Sequence, residues 1–144
     1  MTRHHGSLDL RLRLLPGRYV YLQLHPADLT RDLLSSVLTT SDATFAAIMR
    51  TGDEVTVILP DAAVPPGLPG RARPGWAALI IDGDLDFELV GILSTLAQTL
   101  AAARIPMCAA STWSTDILLV DADHLSAATA ALRRVAEVID TPAG

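Results

Sequence analysis

The chain contains no lysine, one cysteine and few aromatic residues. Each scarcity excludes something. Without lysine, the positive charge rests on arginine alone, and the arginines are scattered. The pairs Arg11/Arg13 and Arg133/Arg134 read as solvated faces. Phosphate recognition needs clustered cations, and the formal net charge is −5, so no nucleic-acid partner is expected. Cys108 cannot close an internal disulfide, and it lacks a histidine at metal-ligand spacing. A reducing, cytoplasmic compartment is expected, with no metal. No apolar run reaches the about 18–20 residues that span a bilayer, so no membrane segment is expected. The polar start Met1-Thr2-Arg3-His4-His5 has no apolar stretch after it and does not read as a signal peptide.

The aromatics are Tyr19, Tyr21, Phe45, Trp76, Phe87 and Trp113, so the core must be built from Leu, Ile, Val and Ala. Half of the 144 residues are apolar, which is ample for a core and argues against disorder. The length fits one compact domain or two very small ones. The Ala, Arg and Pro usage points to a GC-rich bacterial source.

Leu8, Leu10, Leu12 and Leu14 alternate with Asp9, Arg11 and Arg13, the period of a half-buried strand. Pro16-Gly17 reads as a turn into a second strand, Tyr19–Leu24, so the pair predicts a hairpin. Asp28 or Thr30 is placed to cap a helix over Arg31–Leu38. A further extended pair is expected, Ala43–Arg50 and Val55–Leu59, joined by Thr51-Gly52-Asp53-Glu54. From Pro60 to Gly75, proline and glycine recur so often that neither helix nor central strand is expected. This stretch is the candidate boundary between units at 7–62 and 76–140, with 63–75 as linker.

In the second half, Trp76–Ile81 reads as a strand covered on both faces. Glu88–Ala103 has helical spacing at Leu89, Ile92, Leu93, Leu96, Leu100 and Ala103, with Asp86 as a possible cap. Strands are predicted over Pro106–Trp113 and Ile117–Val120, around a turn at Ser114-Thr115-Asp116. A last helix is predicted from an Asp123 cap, with Leu125, Ala128, Leu132, Val135 and Ile139 on one stripe. Helices would then cover one face of an antiparallel sheet.

Two stretches resemble a known family. Asp84-Leu85-Asp86-Phe87-Glu88-Leu89-Val90-Gly91-Ile92-Leu93 and Ser111-Thr112-Trp113-Ser114-Thr115-Asp116-Ile117-Leu118-Leu119-Val120 look like the signatures of small stand-alone tandem ACT proteins. These are similar in turn to the regulatory ends of aspartate kinases and to cytosolic arginine sensors. Arg50-Thr51-Gly52-Asp53-Glu54-Val55 resembles the family's Thr-x-x-Glu hairpin. The resemblance implies an α+β fold of two ACT-like (ferredoxin-like, βαββα) units, side by side and sharing an antiparallel sheet. It also implies a protein that binds a free amino acid between its units, without cofactor or catalysis, as a homodimer or with a regulated protein partner. The family's preferred second stretch has Asp near position 114 and an aromatic after the Asp at 116. Ser114 and Ile117 depart from that, which favours the alternative of a ligand-free assembly module.

An amino acid offers a carboxylate, an ammonium and a side chain. The backbone N–H groups at the start of the predicted helix, at Val90, Gly91 and Ile92 beside Glu88 and Leu89, suit the carboxylate. Gly91 would permit close approach, or it would serve tight helix–strand packing. Asp116 suits a cation, with Ser111 and Thr112 adding neutral hydrogen bonds; turn aspartates commonly bond their own backbone instead. Thr51 and Glu54, on resemblance alone, would close the site from the other half. Ser111, Asp116 and His124 have the residue types of a hydrolytic triad, but nothing resembles a nucleophile elbow, and no phosphate or dinucleotide loop is present. No enzyme activity is expected.

Overall fold

The computed structural model describes residues 10–82 and 91–140. Among them lie, in chain order, β1 (Arg11–Leu14), β2 (Tyr19–Leu24), α1 (Arg31–Leu38), β3 (Ala47–Arg50), β4 (Val55–Pro60), β5 (Arg71–Ile81), α2 (Ile92–Ala102), β6 (Cys108–Ser111), β7 (Asp116–Asp121), α3 (Leu125–Leu132) and β8 (Glu137–Asp140). The fold is mixed α+β. Contacts divide it into two compact units, Leu15–Ala77 and the described residues before and after that span.

In Leu15–Ala77 the strand order is β3-β4-β2-β5. The alternation read from the sequence places Val20, Leu22, Leu24, Val55, Val57 and Leu59 in one buried cluster. Leu33 of α1 completes it, fully buried. Thr30 caps this helix, its Oγ1 accepting from Leu33 N–H at 3.2 Å. Strands β3 and β4 pair antiparallel with Arg50 opposite Val55. Their turn closes through Thr51 N–H to the Glu54 carbonyl at 2.9 Å.

The stretch expected to lack a strand carries the first part of β5. Tyr19 of β2 faces Trp76, whereas Tyr21 faces Arg73, so β5 bulges at Pro74-Gly75. A bulge is where a residue without an N–H is tolerated, and Gly75 takes the positive φ of 83°. Proline and glycine thus shaped the strand without abolishing it.

Tyr19 is fully buried and stacks on Phe45 with ring centroids 4.8 Å apart. Its Oη has no hydrogen-bond partner among the described residues. Burial pushes this hydroxyl above its ordinary pKa of 10.0; the Phe45 backbone offsets part of that without completing a hydrogen bond. Below pH 10.0 the folded and unfolded chains hold this proton alike. Between 10.0 and the higher folded value the unfolded chain has lost it first, so stability falls as pH rises. Tyr19→Phe should therefore flatten the alkaline loss in urea titrations. At neutral pH it should leave stability unchanged or raise it by up to about 1 kcal/mol, because an orphan hydroxyl is gone. A variant with the wild-type alkaline slope would refute this account.

In the other unit the strand order is β6-β7-β5-β1-β8. Ala78, Leu79 and Ile81 of β5, Leu12 of β1 and Ile117–Val120 of β7 are buried. Helix α2 buries Ile92, Leu96 and Leu100, one face at four-residue spacing. Helix α3 packs on α2, β7 and β8 through small residues, with Ala128, Ala131 and Leu132 buried.

Three expectations are corrected here. The hairpin of the first two strands does not form. β1 pairs antiparallel with β5, Leu12 opposite Ile81, and β2 pairs with β4 and β5. A Pro-Gly turn permits reversal, but pairing is decided by distant partners. The last helix stops at Leu132, and Glu137–Asp140 forms β8, parallel to β1. The pairing is therefore not wholly antiparallel. The four-residue spacing of Val135 and Ile139 mimicked a helix, but β-branched residues beside an open strand edge favour the ladder. The local cap is Asp121, not Asp123: its Oδ1 accepts Asp123 N–H at 2.9 Å, opening a short 3-10 turn at Ala122–His124.

Candidate ligand site

Strands β6 and β7 pair antiparallel with Ser111 opposite Asp116. The turn between them is built by threonine. Thr112 N–H donates to the Thr115 carbonyl at 2.8 Å. Thr112 Oγ1 accepts from Ser114 N–H at 3.2 Å and from Thr115 N–H at 3.0 Å. The side chain thus satisfies backbone donors that the tight turn leaves over. Asp116 is displaced from its predicted place in the turn to the first residue of β7.

That displacement changes its chemistry. Asp116 does not bond its own turn; its Oδ1 accepts from Ser111 Oγ–H at 2.5 Å. The carboxylate is half-buried, and the ion pairs among the described residues, Arg11–Glu137 and Arg13–Asp82, do not include it. A carboxylate holding one hydroxyl donor retains capacity for a cationic donor. The bond also argues against a hydrolytic triad, since the Ser111 hydroxyl donates its hydrogen bond to the Asp116 carboxylate while His124 sits in the exposed 3-10 turn.

Thr115 was not singled out from the sequence. Its Oγ1 donates to the Ile81 carbonyl at 2.6 Å, tying the turn to the last residue of β5. The acceptor is a backbone oxygen 34 positions away, which no local pattern signals.

Gly91 stands at the N-cap of α2, not inside a helix, with φ of 97° in the left-handed region. A Cβ added there would meet nothing within 4 Å among the described residues. The left-handed backbone conformation favours glycine at this position. Gly91 carbonyl accepts Thr95 N–H at 2.8 Å, which begins the helical ladder and leaves the amide of Ile92 among the first-turn donors. Glu88, Leu89, Val90 and the proposed Asp86 cap lie outside the described residues.

Ser111, Thr112 and Asp116 thus come together on one hairpin, and Gly91 and Ile92 at one helix start in the same unit. Thr51 and Glu54 lie on the β3–β4 turn. Thr51 is exposed there, and Glu54 Oε2 accepts from Gln23 Nε2 at 2.5 Å. Trp113, at the tip of the β6–β7 turn, is 85% exposed. Among the described residues no group of three or more His, Cys, Asp or Glu is placed to hold a metal. No described helix is long and apolar enough to cross a membrane.

This arrangement, a β-α-β-β-α-β run from β5 to β8 with a polar hairpin beside the end of its first strand, defines a small α+β module. Residues 71–134 match the model of the ACT domain. No curated protein sequence matches the chain. Among solved structures, the chain is similar to protein Atu0741 from Agrobacterium tumefaciens, with 22% identity, a TM-score of 0.78, and 93% of this chain and 95% of that chain covered. It is similar to VC0802 from Vibrio cholerae, a protein of unknown function described as a possible transport protein, at 19% identity and TM-score 0.68 over 90% and 91% of the two chains. It is also similar to the ligand-free regulatory subunit of aspartate kinase from Thermus thermophilus, at 13% identity and TM-score 0.60 over 84% and 93%. Residues 71–134 are thus similar to the ACT domain, and the fold of the chain is similar to that of aspartate kinase regulatory domains.

Proposed function

We propose that this protein is a non-enzymatic, cytoplasmic sensor built as a tandem of two ACT-like units, which binds a free amino acid and passes its occupancy to a partner. The partner is a second copy of the chain or a regulated protein. Asp116 with Ser111 takes the ligand's ammonium or a cationic side chain, Thr112 adds a neutral contact, and the start of α2 at Gly91 and Ile92 takes the carboxylate. The observation that carries this reading is the half-buried Asp116 carboxylate, held by one serine hydroxyl and by no described arginine. The ACT match over 71–134 spans both the hairpin and the helix start. Coupling follows if the ligand prefers one of two states of the protein or its assembly.

A thermal-shift screen against the standard amino acids, each at millimolar concentration, tests it. A ligand at about 100 times its Kd adds ~2.7 kcal/mol, which is several degrees for a chain of this size. One amino acid should stand out, and Asp116→Ala should abolish its effect. The alternative reading, a ligand-free assembly module, needs the site filled from within. Trp113 is the side chain suited to that, and its 85% exposure counts against it. A flat screen with an intact cooperative transition would favour the assembly module.

A further inference from the structure

We propose that Thr115 is the positioning residue of this site: its hydroxyl, donated to the Ile81 carbonyl, anchors the β6–β7 turn to the end of β5 and so holds the adjacent Asp116 carboxylate in its binding geometry. The inference rests on the ligand reading above.

A short hairpin is pinned along its strands but is free to rock at its tip. Here the rocking is opposed at the last turn residue. Thr115 Oγ1 reaches Ile81 O at 2.6 Å, and Thr115 is half-buried, so the bond is sheltered from competing water. Thr115 itself is held further by Thr112, its carbonyl accepting from Thr112 N–H and from Thr112 Oγ1, and its N–H donating to Thr112 Oγ1. The next residue is Asp116, whose Oδ1 is oriented from across the ladder by Ser111. The carboxylate is therefore fixed from two sides, by Ser111 through its side chain and by Thr115 through its backbone. Such support for a binding group lowers the ordering cost that a ligand must otherwise meet.

The other unit holds the same turn position, to a different end. In the β3–β4 turn, Thr51 N–H donates to the Glu54 carbonyl, as Thr112 N–H does to Thr115. Glu54, the last turn residue, is also held from the unit's first strand, by Gln23 Nε2. Arg71 Nε in turn donates to Gln23 Oε1 at 2.8 Å. There the residue after the latch is Val55, fully buried, so that latch serves packing alone. Only the β6–β7 latch is followed by a carboxylate.

The test compares Thr115→Val, Thr115→Ser and Thr99→Val. Valine keeps the shape and removes the donor, serine keeps the donor, and Thr99→Val deletes a helix-internal hydroxyl bond, to the Thr95 carbonyl, in the same unit. Affinity is measured by calorimetry with the amino acid giving the largest shift for the wild type. Thr115→Val should weaken it about tenfold, equivalent to one lost hydrogen bond of support. Thr115→Ser should restore it, and Thr99→Val should leave it unchanged. Hydrogen exchange of ligand-free protein should show faster exchange of the Thr112 amide in Thr115→Val alone. Wild-type affinity in Thr115→Val, or equal weakening in Thr99→Val, overturns the positioning role while leaving the ligand reading intact. A wild type that responds to no amino acid overturns both.

Discussion

Replacing Gly70 by alanine is expected to destabilise the protein by about 3 kcal/mol, the largest effect of any single methyl group added to the glycines described. Two independent penalties meet at this position. Its φ of 102° lies in the left-handed region that a Cβ disfavours. A Cβ built there would also overlap the Gln23 carbonyl oxygen and sit 3.2 Å from the Gln23 carbonyl carbon. Both obstacles are backbone of the paired strand β2, so no side-chain rotation relieves them. The chain at Gly70 leads directly into Arg71, which pairs with Gln23, so a shift there would disturb the start of the β2–β5 ladder. Gly67→Ala is the matched control. Its φ is 74°, and nothing lies within 4 Å, so conformational strain of about 1 kcal/mol is its whole cost. Urea unfolding of the two variants should separate them by about 2 kcal/mol, the difference between those two estimates. Equal midpoints would show that the close approach to Gln23 does not constrain the fold.

Leu33→Ala is the second large effect, a loss of about 2–5 kcal/mol. Leu33 is the one fully buried side chain of α1, and it packs on Val20, Leu22, Leu24, Val55, Val57 and Leu59. Its removal deletes apolar contacts and leaves a cavity bordered by two strands whose ladder resists collapse. Leu38 lies on the same helix at 83% exposure, and Leu38→Ala should change stability by less than about 0.5 kcal/mol. Measured in parallel, the two leucines test whether α1 is held by packing at Leu33 or by its own propensity. An eight-residue helix is too short to persist alone, which favours packing. If Leu33→Ala costs no more than Leu38→Ala, the cluster is not what holds this unit together.

The site was partly legible. Ser111, Thr112 and Asp116 share one sequence motif, and the structure places them on one hairpin. What the motif did not convey was which atoms meet. Asp116 reads in sequence as a turn residue, and only the register of β6 against β7 makes it the cross-strand partner of Ser111. The sequence shows that Gly91 lacks a Cβ, but its left-handed N-cap conformation is a backbone angle that only the structure gives.

By itself the sequence determined whatever depends on near neighbours. Alternation placed Val20, Leu22, Leu24, Val55, Val57 and Leu59 on buried faces, and the Thr30 hydroxyl set the start of α1 at Arg31, because side-chain direction and capping are settled within a few residues. Tertiary structure alone decided what depends on distant partners. β1 left the expected hairpin for β5 and β8, Val138 and Ile139 became a strand, and the chain at Pro74-Gly75, expected to lack a strand, became a bulge within β5. Strand pairing is worth little until a specific edge is available, so a segment with both helical and extended character takes the form its neighbours complete. The Thr115–Ile81 bond belongs to the same class, since a hydroxyl meets its acceptor there only after β5 and β7 are side by side.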